Sequence, residues 1–137
     1  MESESQQVSV VIKNDTDIVS ARQQARELAK RLNFSSSELA GIAAAISELA
    51  RNIVSYANDG TIIANLIEDK GKKGVMIVAK DTGPGIPDIS LAMQNGYSTS
   101  NSLGLGLPGV QRLMDNFDIQ SEVGKGTVVT IKKWVMS

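Results

Sequence analysis

Histidine and cysteine are both absent from this chain of 137 residues. Without histidine, the chain lacks the commonest general base and metal ligand, and a phosphohistidine intermediate on the chain itself is excluded. Any acid–base chemistry therefore falls to another residue type, such as a carboxylate. The absence of cysteine excludes disulfides and is compatible with a reducing compartment.

A strong charge imbalance and long apolar runs are also lacking. The formal net charge is −1, which provides no field for nucleic acid or anionic lipid. No apolar run approaches the roughly 18 residues that a membrane span needs, and residues 1–10 lack the pattern of a secretion signal. We therefore expect a cytoplasmic protein whose partners are small molecules or proteins, with no nucleic acid and no membrane among them.

The length of the chain corresponds to one domain, which would bury about two thirds of the surface that its unfolded form exposes. Residues 1–7 are polar, and we expect them to form a flexible N-terminal tail. A single domain is then expected over residues 8–137. Neither an internal repeat nor a break in composition suggests a second domain.

The hydrophobic pattern predicts alternating blocks of helices and hairpins. In order, we expect a strand at 8–12, a helix from Asp15 or Thr16 to about 33, a helix at 39–57, strands at 61–68 and 75–80, a short helix at 87–94, a mobile loop at 95–102, a helix ending at 116, and strands at 117–123 and 127–134. This order predicts an α+β fold, a two-layer sandwich in which helices cover one face of a mostly antiparallel sheet.

The second predicted helix carries a polar pair on the side opposite its apolar stripe. Ser35 and Glu38 form a capping box that marks where this helix begins. Glu48 and Asn52 lie one turn apart on the opposite side, near small residues such as Gly41. This small-residue surface with one carboxylate and one amide suggests that something docks there. A solvated polar face is the alternative, because such pairs are common on helices.

A carboxylate followed by glycines stands at the end of an apolar strand, in the stretch Asp81-Thr82-Gly83-Pro84-Gly85. Such a carboxylate can accept a hydrogen bond from an amino group on the edge of a planar ligand. The glycines allow the backbone to approach that ligand closely. The same pattern also occurs in ordinary turns that leave a strand, so by itself it does not identify a site.

A further glycine-rich stretch precedes a later helix. Gly104-Leu105-Gly106-Leu107 leads into Pro108, which suits the first turn of a helix. The open N–H groups of such a turn attract anions, and a phosphate would fit there. A glycine-rich turn built for close packing is the alternative.

These three motifs occur in one order along the chain, and together they resemble the GHKL family of ATP-binding domains, which includes gyrase, a heat-shock chaperone, histidine kinases and MutL. Gly124-x-Gly126-Thr127 resembles the last glycine box of that family. The stretches ISELARNI at 46–53, DTGPGIPD at 81–88 and GLPGVQRLMD at 106–115 are most similar to the small serine/threonine kinases of the bacterial stressosome.

The resemblance implies a role for each matching residue. Glu48 would be the general base, Asn52 would hold the magnesium ion that bridges the phosphates of ATP, and Asp81 would accept the adenine amino group. The remaining ATP-binding positions would border the nucleotide, cradle its phosphates or support its adenine end: Gly83, Gly85, Gly104, Leu105, Gly106, Leu107 and Thr127.

The resemblance also implies a function in partner switching. The chain would phosphorylate STAS-domain antagonist and scaffold proteins on serine or threonine, and once released would activate a metal-dependent serine/threonine phosphatase. Two alternatives remain, an anti-sigma-factor kinase and an ATP-gated binding module with little catalysis. Related anti-sigma-factor kinases carry a basic residue in the ATP lid, whereas residues 86–103 here contain neither Lys nor Arg. A slow kinase is therefore expected, or one whose phosphate contacts are completed by its partner.

Overall fold

A computed structural model describes residues 6–57, 59–86, 93 and 106–135. Its elements in chain order are β1 (Gln7–Ile12), α1 (Asp15–Ala29), α2 (Ser36–Tyr56), β2 (Gly60–Asp69), β3 (Lys72–Asp81), α3 (Gly106–Leu113), β4 (Asn116–Glu122) and β5 (Gly126–Trp134). The helix predicted at 87–94, apart from Met93, and the loop predicted at 95–102 lie outside the described residues. Within the described ranges, no helix combines the length and the hydropathy that crossing a bilayer requires.

The five strands form one antiparallel sheet in the order β1-β2-β3-β5-β4. Helices α1 and α2 pack on one face of this sheet, and α3 packs against α2. The predicted α+β sandwich, with helices covering one face of an antiparallel sheet, is therefore confirmed.

The core lies between the sheet and the helices, and strand alternation decides which side chains enter it. Val10, Ile62, Ala79 and Val129 are paired across four neighbouring strands and are all buried. The apolar stripe predicted for the second helix faces them, since Ile42, Ile46, Leu49 and Ile53 are each at most 2 % exposed. Burial of these branched side chains is the main source of the fold's stability.

Both long helices begin at capping boxes, which use side chains to satisfy the N–H groups that a helix leaves unpaired. The predicted box before α2 is confirmed, because the Glu38 N–H donates to Ser35 Oγ over 3.0 Å and the Ser35 N–H donates to Glu38 Oε1 over 2.8 Å. An equivalent box formed by Asn14 and Asp17 begins α1. The contacts between Ser35 and Glu38 explain why the start of α2 could be predicted, whereas the start of α1 was predicted from hydrophobic periodicity and its capping box was missed.

The hairpin between β2 and β3 is tighter than predicted. Its strands extend until Asp69 pairs with Lys72, so that only Lys70 and Gly71 remain in the turn. Both turn residues have positive φ, 54° and 84° respectively. This geometry is that of a two-residue type I′ turn, whose twist matches the twist of the strands. The six-residue loop predicted at 69–74 is wrong for this reason.

Two helices end earlier than predicted. The first helix ends at Ala29 rather than near residue 33, because i to i+3 hydrogen bonds close its last turn, including Leu32 N–H to Ala29 C=O over 3.0 Å. Helix α3 ends at Leu113 rather than at residue 116. There the Asp115 carboxylate accepts the Trp134 N–H over 2.8 Å, which fixes the chain at the end of β5.

Candidate active site

One row of residues runs across all five strands at the end of the sheet near Asp81. Ile12, Gly60, Asp81, Thr127 and Ser121 are successive register partners from β1 to β4. Because Asp81 continues the alternation of Val75, Ile77 and Ala79 along β3, its side chain belongs to the face that the helices cover. The sheet therefore places two predicted site residues, Asp81 and Thr127, directly side by side.

Helix α2 reaches the same end of the sheet. A Cβ atom added to Gly60 would lie 2.9 Å from Ile53 Cγ2 and 3.0 Å from Asp81 Cβ. Glycine at this position thus lets the last turns of α2 approach the end of β3. Asn52 immediately precedes Ile53 on α2. Asn52, the predicted magnesium ligand, and Asp81, the predicted adenine ligand, therefore lie in the same region of the molecule.

The loop that leaves β3 is folded back on its own carboxylate. The Gly83 N–H donates a hydrogen bond to Asp81 Oδ1 over 2.9 Å. A Cβ on Gly83 would lie 2.7 Å from the Ala57 Cβ atom, so glycine is required where the loop packs on the end of α2. Gly85 has a φ of 82°, and a Cβ there would collide with the Glu122 backbone. Both glycines thus make close contact with protein, and their bordering of a nucleotide stays a prediction.

Ser121 connects this loop to Thr127, and no local sequence signal indicated it. Its hydroxyl accepts the Ile86 N–H over 2.7 Å and lies 2.8 Å from Thr127 Oγ1. A backbone bond from the Gly124 N–H to the Pro84 C=O, 2.8 Å long, holds the loop at a second point. The loop beside Asp81 is therefore anchored to the β4–β5 hairpin.

Gly126 allows β5 to begin beside Asp81. It has a φ of 121°, and a Cβ there would collide with the Asp81 carbonyl oxygen and lie 2.8 Å from Thr82 Cα. An L-residue rarely adopts this φ, so both the conformation and the space require glycine. This finding gives the predicted last glycine box a structural reason, since any side chain would displace the end of β3.

Glu48 is buried, with only 4 % of its surface exposed, although it was placed on the face opposite the core. That face is not open along its whole length. Ala45 is fully buried, and Leu113 Cδ2 of α3 lies 3.5 Å from the Cβ position of Gly41. The chain's own α3 therefore covers this small-residue surface at its first turns, and docking of a ligand on the rest of the surface stays a prediction.

Arg51 forms an ion pair with Glu48, with Nη1 and Oε1 3.2 Å apart. Its side chain is 41 % exposed, whereas that of Glu48 is 5 % exposed. The spacing of three residues on a helix could have indicated this pair. It was missed because Glu48 was expected to face a docked ligand beside Asn52, so a partner on its own helix was not considered.

Asn52 follows Arg51 on α2 and is half-buried. In the described part of the chain, no group of three or more His, Cys, Asp or Glu side chains could hold a metal ion. A dedicated all-protein metal cage is therefore not found in these ranges. Magnesium bound to nucleotides usually takes one or two protein oxygens and completes its shell with water and phosphate oxygens. An amide oxygen at Asn52 fits that donor set.

The glycine-rich stretch before α3 is only partly described. Gly106 is the first residue of α3 and has a φ of 70°, and the Leu107 that follows is buried. Their position in the first turn agrees with the predicted helix start. Gly104 and Leu105 lie outside the described residues. The expected contact of this turn with phosphate stays a prediction.

Comparison with known proteins identifies the kind of domain to which this site belongs. The family described as histidine kinase-like ATPase domain matches residues 12–133. The chain belongs to this family. The match includes all of the site residues, and it confirms the predicted family and the predicted use of ATP.

Sequence relatives show which members of the family this chain is similar to. The chain is 52 % identical over 129 residues to the serine/threonine-protein kinase RsbT of Bacillus subtilis, covering 94 % of this chain and 97 % of that protein. It is 31 % identical over 123 residues to an anti-sigma F factor of Caldanaerobacter subterraneus, covering 84 % of this chain and 83 % of that protein. The predicted resemblance to the stressosome kinases and the predicted serine/threonine kinase class are thus confirmed.

Solved structures with the same fold include a protein with RsbU and RsbW domains and a sensor histidine kinase. The crystal structure of the RsbU and RsbW domains of Rv1364c from Mycobacterium tuberculosis matches with a TM-score of 0.62 and 20 % identity, over 97 % of this chain and 34 % of that one. The mycobacterial sensor histidine kinase MprB matches with a TM-score of 0.55 and 16 % identity, over 93 % of this chain and 95 % of that one. At these identities, the likeness concerns the fold alone.

Proposed function

We propose that this chain uses Mg-ATP to phosphorylate STAS-domain antagonist and scaffold proteins, RsbS-like and RsbR-like, on serine or threonine. The observation that carries the proposal is the position of Glu48, a buried carboxylate one helical turn from Asn52, on the helix whose last turns contact Gly83 beside Asp81. The similarity to RsbT supports the choice of substrate class.

In this proposal, the row at the end of the sheet receives the adenine. Asp81 accepts a hydrogen bond from the adenine amino group, and Thr127 beside it supports the same end of the nucleotide. Gly83 and Gly85 border the nucleotide from the loop after β3. The N–H groups from Gly104 to Leu107 would bind the phosphates, as the positive end of a helix favours.

The reacting end of the nucleotide is assigned to α2. When bound, magnesium would neutralise negative charge on the phosphate oxygens, and Asn52 is the residue that would hold it. Glu48 accepts the proton of the substrate hydroxyl. The hydroxyl oxygen then bonds to the γ-phosphorus, the bond from that phosphorus to the β–γ bridging oxygen breaks, and ADP departs with the bonding electron pair. The proton remains on Glu48 until it is exchanged with solvent.

Partner switching completes the proposal. After its substrates have been phosphorylated, the released chain binds and activates an RsbU-like serine/threonine phosphatase. Support comes from the resemblance to RsbT, and a solved structure with the same fold contains RsbU and RsbW domains in one chain. A small domain has limited surface, so substrate and phosphatase are expected to compete. In this proposal, the loop at 97–102, which lies outside the described residues, signals the ATP state to the partner. A cytoplasmic location of the protein stays a prediction.

A second candidate is an anti-sigma-factor kinase, which keeps the chemistry and changes the partner. The 31 % identity to an anti-sigma F factor favours it. An ATP-gated binding module is the third candidate, because residues 86–103 contain no basic residue to neutralise charge during phosphoryl transfer.

Transfer of the γ-phosphate to a purified STAS-domain protein tests the proposal directly. We expect the parent chain to label serine or threonine and Glu48→Gln to lower the rate by at least about a hundredfold, because an amide cannot accept the proton. Titration calorimetry with a non-hydrolysable ATP analogue should give similar affinities for both. Glu27→Gln, which changes an exposed glutamate on α1, is the matched control.

Three results would contradict this function. Nucleotide binding without any label on the STAS protein, under conditions in which a related kinase labels it, would favour the binding module. Equal transfer by the parent and Glu48→Gln would remove Glu48 from the chemistry. Recovery of a sigma factor without any STAS protein, in a pull-down with and without Mg-ATP, would favour the anti-sigma-factor kinase.

A further inference from the structure

The carboxylate in the ion pair of Arg51 with Glu48 is more buried than the carboxylates in the pairs Lys30–Glu27, Lys125–Glu122 and Lys133–Asp115 of the described residues. The pairs Lys30–Glu27 and Lys125–Glu122 are more than 45 % exposed at both ends and are 3.5 Å long. Arg51 and Glu48 are 3.2 Å apart, and the carboxylate is 5 % exposed. This pair therefore joins a nearly buried acid to a cation that extends toward the surface.

Burial changes what such a pair does. A carboxylate withdrawn from water loses its hydration, and a neighbouring cation compensates part of that loss. The guanidinium is planar and always charged, so it also restricts the orientation of the carboxylate that it binds. Contact with Oε1 thereby limits the orientations that the Glu48 carboxylate can adopt.

We propose that Arg51 is the positioning residue for Glu48, holding this carboxylate in the orientation that faces the substrate hydroxyl. The inference rests on the proposed function, in which Glu48 accepts the proton of that hydroxyl. Arg51 acts through Glu48 and need not touch ATP or the protein substrate.

A double-mutant cycle separates action through Glu48 from direct action on the phosphoryl group. The four chains are the parent, Arg51→Ala, Glu48→Gln and the double variant, each assayed for transfer to a STAS-domain protein at saturating ATP and substrate. Affinity for a non-hydrolysable ATP analogue is measured in parallel. Arg22→Ala, which removes an exposed arginine of α1, is the charge-matched control.

We expect Arg51→Ala to lower kcat by at least about tenfold while the affinity for the analogue changes by less than about twofold. In the Glu48→Gln background, the same substitution should change the rate by less than about twofold, since a positioning residue has no effect without the group that it positions. Arg51→Lys should recover part of the lost rate, because it restores the charge without the planar geometry.

Several outcomes would overturn the inference. Arg51→Ala with the parent kcat would show that Glu48 needs no positioning. An equal loss in both backgrounds would mean that Arg51 acts on the phosphoryl group independently of Glu48. If Arg51→Ala fails to fold, Arg51→Gln and Arg51→Lys replace it, and equal kcat values for these two and the parent would overturn the inference. A parent chain that transfers no phosphate, or Glu48→Gln with the parent rate, would instead overturn the proposed function and this inference with it.

Discussion

The Ser121 hydroxyl on β4 lies 2.8 Å from the Thr127 hydroxyl on β5, and the two residues are register partners in the sheet. Because Ser121 also accepts the Ile86 N–H, one side chain connects the loop after β3 with the residue that pairs with Asp81. The loop, the carboxylate and the threonine are thus linked by hydrogen bonds within the chain itself. Such preorganisation reduces the conformational cost of binding.

Replacing Asp81 by Asn should weaken ATP binding. The amide oxygen can still accept the Gly83 N–H, so the loop should keep its shape, but the negative charge that strengthens a hydrogen bond to the adenine amino group is lost. We expect the Kd of a non-hydrolysable ATP analogue to rise by roughly ten- to a hundredfold in titration calorimetry.

Asp118→Asn is the matched control for this substitution, because Asp118 is exposed on β4 away from the site row. It should bind the analogue as the parent does. An unchanged Kd for Asp81→Asn would show that Asp81 does not receive the adenine.

Replacing Ser121 by Ala should loosen the loop after β3. The Ile86 N–H loses its acceptor and Thr127 loses its hydroxyl neighbour, so we expect a roughly fivefold higher Kd for the nucleotide, as is usual for one hydrogen bond. Hydrogen exchange at the Ile86 amide should become faster. Ser121→Thr, which keeps the hydroxyl, should restore both properties.

Ser20→Ala on α1 is the control for Ser121→Ala, because it also removes a hydroxyl that makes a side-chain hydrogen bond, here to Gln24. Faster exchange at Ile86 with an unchanged Kd would show that anchoring of the loop does not contribute to nucleotide affinity.

Alanine at Gly126 should destabilise the fold more than alanine at Gly124. Both residues have positive φ, but a Cβ on Gly124 has no atom within 4 Å, whereas a Cβ on Gly126 would collide with the Asp81 backbone. Gly124→Ala should therefore lose about 1 to 2 kcal/mol of the free energy of unfolding, from backbone strain alone. Gly126→Ala should lose roughly 1 to 3 kcal/mol more, from the steric clash.

Urea unfolding of the two variants measures this difference. Because the glycines are two residues apart in one hairpin, Gly124→Ala is the control for backbone strain. Equal losses would mean that the close approach of β5 to Asp81 does not require glycine at Gly126.

Local signals in the sequence account for the predictions that succeeded. Ser35 and Glu38 satisfy N–H groups only three residues away, and the stripe from Ile42 to Ile53 repeats with the helical period, so both are readable without the fold. The strand before Asp81 was recognisable for the same reason. Two predicted boundaries were wrong because contacts between elements decide them. Strand pairing leaves only Lys70 and Gly71 in the turn between β2 and β3, and the end of α3 lies where the Asp115 carboxylate accepts the Trp134 N–H of β5.

By itself, the sequence determined the order of the described elements, the capping box that begins α2 and the positions of Glu48, Asn52 and Asp81 along the helices and strands, because periodicity and capping act over a few residues. The tertiary structure alone decided that Ser121 holds Ile86, 35 residues away along the chain, and that Glu48 is buried beside Arg51. Burial depends on the surface that other elements cover, and register partners come from distant strands. Short sequence patterns show neither how far a residue is buried nor which distant residue it pairs with, since both are decided only when the sheet and the helices pack together.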